Sequence, residues 1–392
     1  MKKTLFDLTE CQPHRGIKFH GGGIYGYIVF EHLIKADSKN IIAYIDDNKY
    51  IPEKILNLIT EHNVRLISAE DHSLLSVFTN RICDMLYAPL YSPKYEELFA
   101  INVPIVVTIH GLRTLELGRD KYEHIYAKSI KGKIASFIKQ TPYHNVLVNK
   151  YYKRYQKLFT YNQATIITVS NHSKYSIQTF YPSLNSNRIK VRYSPSTTES
   201  NLIPSRIQES KGYYLIISAD RWLKNSYRVL LAFDCLYTNR LLNKKVYVVG
   251  LNESSAVMKR MKNKEMYRCF EYLSKMELET LYANAYAFVY PTLNEGFGYP
   301  PLESMKYGTP CITSPLSSIP EVCADAVMYA NPYSHIEMAN RILQMESMEL
   351  YSIYSRKAIE RYKIIEERQK TDLEKLIGDI TSLLDSENEN IY

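Results

Sequence analysis

Two glutamates with seven residues between them follow an apolar run in the second half of the chain. The run, residues 285–290, stops at Pro291, and the acids Glu295 and Glu303 come after it. Because proline cannot donate a hydrogen bond to a strand ladder, the pattern predicts a buried strand that ends at Pro291. Two carboxylates at one strand end can accept hydrogen bonds from ligand hydroxyl groups, or can act as an acid–base pair.

The residues between the two glutamates predict a loop that enters a helix. Gly296 and Gly298 let the backbone approach a ligand closely. Pro300 and Pro301 are typical of a first helical turn, so the second glutamate falls in the first two turns. A strand, a glycine loop and a helix in this order present backbone N–H groups to an anionic ligand. Two glutamates at such a turn are, by themselves, most often surface residues.

Two cations occupy a comparable place after another apolar run. Arg221 and Lys224 follow residues 213–217 and precede a helical pattern that includes Val229 and Phe233. An arginine supplies a planar fork of donors and a lysine supplies a point charge, and together they suit a diphosphate. Taken alone, such a pair is more often plain surface charge.

The whole string from Tyr290 to Glu303 is more specific than its parts. With its continuation through residues 304–310 and 317–322, it resembles the E-x7-E segment of the retaining glycosyltransferases of family 4 (glycosyl transferases group 1). These include bacterial mannosyl and rhamnosyl-type transferases of surface polysaccharide synthesis. The resemblance implies the α/β fold called GT-B, in which two Rossmann-like doubly wound domains face each other across a cleft and a C-terminal helix crosses back. Strands alternating with helices in two similar halves also predict two parallel-sheet domains.

The resemblance implies a role for each candidate residue of the second half. Arg221 and Lys224 bind the donor diphosphate, and Glu295 attends the sugar where bonds change. Glu303 accepts hydrogen bonds from the ribose. The backbone of the loop after Glu295 adds donor contacts, through Gly296, Phe297 and Gly298.

The first half contributes a histidine and a glycine cluster. His110 follows a predicted strand, residues 104–109, and a lone histidine there is more often structural. The resemblance instead implies that His110 contacts the donor sugar as a fourth catalytic residue, beside Glu295, Arg221 and Lys224. Arg113 is more readily a surface arginine, although it could face phosphates or the acceptor. The glycines before a helical pattern could form a nest for the donor and match the glycine-rich loop of the family: Gly21, Gly22 and Gly23.

Length and composition predict a globular protein of two domains. The chain has 392 residues, 45% of them apolar and 23% charged. The predicted boundaries are an acceptor-side domain at 1–193, a polar linker with two prolines at 194–211, and a nucleotide-sugar domain at 212–366. Residues 367–392 are predicted to form the returning helix and a frayed tail.

No metal, cofactor or membrane span is predicted. The six cysteines form no C-x-x-C pair, and no D-x-D stands at a strand end. The N-terminus lacks the apolar region of a signal peptide, and no window of 18 residues is wholly apolar. We therefore expect a cytoplasmic protein with reduced cysteines.

A basic, aromatic region at 119–159 predicts an anionic partner. Residues 119–157 hold ten basic and two acidic side chains, an excess as large as the net charge of +8 of the whole chain. A solvated helix face is the ordinary interpretation of such a run. The functional interpretation is peripheral contact with anionic lipid or with a lipid-linked glycan at the inner face of the plasma membrane. No nucleic acid is expected as a partner.

The resemblance predicts a metal-independent retaining transferase. It would move a hexose or deoxyhexose from a GDP- or UDP-linked sugar onto a lipid-linked polysaccharide. Alternatives within the same architecture are a nucleotide-sugar epimerase and a phosphorylase. An inactive glycan- or lipid-binding protein is a further alternative, against which the complete set of candidate residues argues.

Overall fold

The computed structural model describes residues 2–13, 21–197 and 212–385. Its contacts divide the chain into two compact units. The first unit comprises Met1–Leu112, Lys150–Thr198 and Glu367–Tyr392. The second comprises Arg113–Asn149 and Glu199–Glu366.

The first unit is built on seven parallel strands. They are β1 (Thr4–Asp7), β2 (Ile41–Ile45), β3 (Arg65–Ser68), β4 (Met85–Ala88), β5 (Ile105–Ile109), β6 (Ala164–Thr168) and β7 (Ile189–Val191). Their order is β3-β2-β1-β4-β5-β6-β7. Runs such as IIAYI in β2 and IVVTI in β5 are wholly buried, as expected where helices cover both faces of a parallel sheet. The order reverses between β1 and β4, where ligands of such sheets bind.

Helices connect these strands. They are α1 (Gly21–Asp37), α2 (Glu53–Glu61), α3 (Leu74–Thr79), α4 (Arg113–Glu116), α5 (Ile130–Lys139), α6 (Tyr143–Thr160) and α7 (Asn171–Phe180). α4 and α5 belong to the second unit.

The second unit has six parallel strands. They are β8 (Tyr213–Ile216), β9 (Lys245–Val249), β10 (Tyr267–Phe270), β11 (Ala287–Tyr290), β12 (Cys311–Thr313) and β13 (Met328–Tyr329), in the order β10-β9-β8-β11-β12-β13. The helices are α8 (Ser226–Thr238), α9 (Lys275–Asn284), α10 (Tyr299–Lys306), α11 (Ile319–Cys323), α12 (His335–Met345) and α13 (Met348–Asp385). Here the order reverses between β8 and β11. The sequence-based prediction of two parallel α/β sheets is confirmed.

Residues 113–149 pack within the second unit, whereas the predicted boundary at residue 193 assigned them to the first domain. Buried Asp120 forms a two-pronged ion pair with Arg228 of α8, at 2.8 and 3.1 Å. Tyr126 shares a hydrogen bond of 3.0 Å with Ser226 and accepts one of 2.7 Å from the N–H of Tyr227. The bidentate ion pair and the hydrogen bonds of the Tyr126 hydroxyl explain why residues 113–149 stay bound to α8.

The last helix contributes to both units. Before residue 367, Arg361 donates to the carbonyl of Val322 at 2.8 Å in the second unit. After it, Gln369 donates to the carbonyl of Ser194 at 2.6 Å in the first unit. Asp379 adds ion pairs with residues of β7 and just after it, namely Lys190 at 2.8 Å and Arg192 at 2.7 Å. The predicted linker lies, from residue 198 on, outside the described residues.

No helix within the described ranges is long and apolar enough to cross a membrane.

Candidate active site

The two loops with candidate residues emerge from neighbouring strands of the second unit. β8 and β11 pair in parallel, with Leu215 opposite Phe288, so the chain leaves both strands at the same edge of the sheet. This edge is the point where the strand order reverses. The N–H of Leu293 donates to the carbonyl of Leu223 at 2.8 Å and joins the two loops directly. The structure therefore brings Lys224 and Glu295 together.

The carboxylate of Glu295 is buried and held by three donors. Its Oε1 atom accepts from the ammonium of Lys224, from the hydroxyl of Tyr290 at 2.8 Å and from the hydroxyl of Thr292 at 3.1 Å. Glu295 is 8% exposed and Lys224 is 5% exposed. Within the described residues, Oε2 of Glu295 makes no hydrogen bond. One oxygen is thus fixed while the other is available to a ligand.

The surroundings keep this acid ionised. Burial by itself raises the pKa of Glu295, but Lys224, Tyr290 and Arg113 outweigh burial and hold the pKa below its ordinary value. Burial lowers the pKa of Lys224, and Arg221 and Arg113 add to this, while Glu295 opposes it. An ionised Glu295 accepts hydrogen bonds and does not act as a proton donor at neutral pH.

Two serines from the loop after β12 hold the glycine loop. The hydroxyl of Ser318 donates to the carbonyl of Phe297 at 2.7 Å and lies 3.1 Å from the carbonyl of Glu295. The N–H of Glu295 donates to the hydroxyl of Ser317 at 2.9 Å. These contacts explain why residues 317–322 accompany the two-glutamate segment.

Gly298 needs to be glycine at the end of this loop. Its φ of +118° is strained for any residue with a side chain, and an added Cβ would stand 3.0 Å from Cδ1 of Ile319. The residue is the N-cap of α10, and the prolines that follow occupy its first turn. The predicted strand, loop and helix are all present.

Glu303 and Arg221 lie near the same strand end. Burial raises the pKa of Tyr282 and of Tyr290, and Glu303 raises both further. Arg221 acts on Tyr290 in the opposite direction. Glu303 is half-buried on α10 and Arg221 is exposed, so both side chains are accessible to a ligand at this edge.

Segment 113–149 adds Glu116, which the sequence did not single out, and Arg113, which the sequence favoured as a surface residue. The amide of Asn294 donates to the carboxylate of Glu116, which fixes the loop beside Glu295. The positive charge of Arg113 lowers the pKa of both Glu295 and Lys224. The buried Nε of Arg113 has no hydrogen-bond partner within the described ranges. The only signal in the sequence was that Arg113 follows His110 by three residues.

The first unit holds the remaining candidates. His110 follows β5 and is half-buried, with Nε2 3.0 Å from the carbonyl of Pro89. Because a carbonyl only accepts, Nε2 carries a proton. The ring of Tyr25 packs edge-on against His110 at 4.7 Å. A Cβ on Gly22 would come within 2.7 Å of Leu90, so the start of α1 and His110 meet the same loop after β4.

The three predicted glycines do not precede the helix but form its first turn, Gly21 to Gly23. The residues that directly precede these glycines, 14–20, lie outside the described residues.

Residues 198–366 match the family glycosyl transferases group 1. Over 195 residues the chain is 30% identical to the O-antigen chain mannosyltransferase RfbU of Salmonella typhimurium, covering 47% of this chain and 51% of that protein. The chain thus spans about half the length of this curated relative.

Solved structures agree on the fold. Anabaena HepE in complex with UDP-glucose superposes with a TM-score of 0.65 at 14% identity, covering 98% of this chain and all of that one. WaaG, a glycosyltransferase involved in lipopolysaccharide biosynthesis, gives 0.64 at 14% identity, covering 96% of this chain and 99% of its own. At such identities the likeness shows the fold, and the predicted GT-B class is confirmed.

Proposed function

We propose that the chain is a retaining glycosyltransferase that moves a hexose, foremost mannose, from a nucleotide-diphosphate sugar to a surface polysaccharide. The observation that carries the proposal is the buried pair of Lys224 and Glu295 at the ends of β8 and β11. The relative RfbU, an O-antigen chain mannosyltransferase, supports mannose. HepE, solved with UDP-glucose, supports a nucleotide-sugar donor, with GDP or UDP as its nucleotide.

The charges of the site suit an anionic ligand. Three cations gather around the ionised Glu295, namely Lys224, Arg221 and Arg113. A diphosphate would neutralise the excess positive charge and would offset the free-energy cost of burying Lys224. The N-terminal end of the α10 dipole adds a partial positive charge of the same sign, although Pro300 and Pro301 supply no N–H there.

Glu295 then has a specific task. Its Oε1 atom is occupied by Lys224, Tyr290 and Thr292, so Oε2 is the atom that accepts from a hydroxyl of the donor sugar. This contact orients the anomeric carbon toward the acceptor, and the cations stabilise the charge that develops on the leaving diphosphate. Glu303 accepts from the ribose. A contact of His110 with the donor sugar is part of the proposal and rests on the resemblance to the family. Retention of configuration rests on the resemblance to the family.

We propose a lipid-linked glycan as the acceptor. An enzyme that extends such a glycan from a nucleotide sugar works in the cytoplasm at the inner face of the plasma membrane. Peripheral association is therefore part of the proposal.

Two experiments test the function. A thermal-shift panel of GDP-, UDP-, ADP- and dTDP-sugars identifies the donor, because stabilisation rises with ligand concentration over its dissociation constant. Release of nucleoside diphosphate is then measured with and without a glycan acceptor. We expect acceptor-dependent release. An isomerised sugar without net release, or a sugar phosphate formed from inorganic phosphate, would contradict transfer.

A further inference from the structure

Helix α5 exposes its apolar side to solvent. Four large apolar residues lie on it at helical spacing and are 43% to 78% exposed: Ile130, Ile134, Phe137 and Ile138. At about 100° per residue they form one stripe about 100° wide. A surface helix ordinarily turns such a stripe toward the core.

The side of α5 opposite the stripe packs on the protein, and within the stripe the ring of Phe137 also stacks on the ring of His124, with centroids 5.2 Å apart. Ser136 is buried, and at about 100° per residue it lies across the helix from the stripe. Lys139, on the same inner side, pairs with Glu123 at 2.6 Å. A small rotation of α5 would therefore not bury the apolar stripe, because the opposite, polar side of the helix is already held by these contacts.

Basic residues border the stripe. Lys131 falls about 20° beyond one edge of it and Lys133 about 40° beyond the other, and both are exposed. Lys128, just before the helix, is also exposed. The chain contains no Asp or Glu between residues 127 and 157. The surface that continues into the start of α6 adds Tyr143 and Val146, 50% and 58% exposed.

We propose that this face of residues 127–149 docks on an anionic lipid bilayer. Apolar side chains between lysines suit the boundary of acyl chains and negative headgroups, and the charge selects lipid over a neutral apolar partner. The inference deepens the proposed function, on which it rests for the lipid-linked acceptor.

The same segment holds the donor loops. Between α4 and α5 it is anchored to α8 by Asp120 and Tyr126, and Glu116 binds Asn294 beside Glu295. Docking through 127–149 therefore places the nucleotide-sugar unit at the bilayer. The inference narrows the predicted membrane-contact region, 119–159, to residues 127–149, which belong to the second unit.

The test is flotation of the full chain with vesicles of equimolar phosphatidylcholine and phosphatidylglycerol. We expect flotation at low salt, loss at high salt, and none with phosphatidylcholine alone. Ile134→Glu should abolish flotation. Its matched control is Ile336→Glu on α12, since the two isoleucines are 54% and 56% exposed, and the control should float as wild type does.

The charges are tested separately. Replacing Lys131 and Lys133 together by Gln should weaken binding about twenty-five-fold, at about fivefold for each lysine. The matched control replaces the exposed Lys259 and Lys264 of the same unit by Gln and should change nothing.

Failure of wild type to float at low salt, or undiminished flotation of Ile134→Glu, would overturn the inference. The inference would also be overturned if the wild type did not float but formed a dimer that Ile134→Glu dissociates, because the stripe would then be a contact between two copies of the chain. The thermal-shift panel keeps the two proposals apart: a donor that stabilises a chain unable to float refutes docking alone. Flotation of a chain that no nucleotide sugar stabilises refutes the transferase and leaves docking in place.

Discussion

The ion pair of Lys224 and Glu295 should be needed for turnover but not for folding. Each single neutral replacement, Lys224→Met or Glu295→Gln, leaves one buried partner without its counter-charge. Breaking a buried pair in this way costs about 3 kcal/mol or more, and in a unit of this size Tm should fall by about 6 °C or more. Glu295 keeps Tyr290 and Thr292 as donors, so Lys224→Met should be the milder single variant.

The double variant separates stability from catalysis. With both charges removed, no uncompensated ion remains, and replacing a buried pair by neutral groups is often close to neutral. We expect its Tm within about 2 °C of wild type, which corresponds to a coupling of about 5–6 kcal/mol between the two sites, because the losses of the two single variants are then almost wholly absent from the double variant. All three variants should lose at least about a hundredfold in kcat, because Oε2 of residue 295 and the cation near the diphosphate act only when charged.

Differential scanning calorimetry and single-turnover transfer measure the two quantities on the same preparations. A double variant no more stable than the single variants would refute the pairing energy. Turnover within a few-fold of wild type in the double variant would refute the site.

The pH dependence follows from the lowered pKa of Glu295. A lowered folded-state pKa contributes stability above the unfolded pKa of about 4.3, and that stability is lost as pH falls through the folded value. The difference in Tm between wild type and Glu295→Gln should therefore be constant near neutral pH and shrink in acid. A difference that grows in acid would show the opposite shift.

Three further predictions concern the frame of the site. Gly298→Ala should destabilise the chain by about 1–3 kcal/mol, because its φ of +118° is strained for a residue with a side chain. The control, Gly378→Ala, has open space around it on α13 and should be neutral or stabilising by about 0.5–1 kcal/mol. Equal effects of the two substitutions in urea denaturation would contradict this prediction. Asp120→Ala leaves a buried guanidinium unpaired and should cost about 3–5 kcal/mol, and protease cutting within 113–149 should increase; an unchanged digestion pattern would argue against the anchor. Arg113→Gln should raise the donor Kd, measured by titration calorimetry, about tenfold while Tm stays close to that of wild type. The control, Arg356→Gln at an exposed position, should leave this Kd unchanged. Equal affinities of the two variants for the donor would show that Arg113 is not part of the site.

Much of the frame could be predicted because its signals are local. The strand at 285–290 and its stop at Pro291 are visible in a few consecutive residues, and the structure places β11 at Ala287–Tyr290. The same holds for β5 at Ile105–Ile109 and for α10. Strand β3 gave no comparable signal, because it reads RLIS and has two exposed residues of four.

The sequence by itself determined the class of fold, the strands that lead into the candidate loops and the loop with its two glutamates, because strand and turn preferences act over a few neighbours. Only the tertiary structure decided the contacts made over long separations. Lys224 and Glu295 are 71 residues apart and meet because β8 and β11 are neighbours in the sheet. Residues 113–149 join the second unit because Arg228 supplies the counter-charge to Asp120. The outward stripe of α5 was equally hidden, since helical spacing shows that a face exists and only packing shows which way it turns.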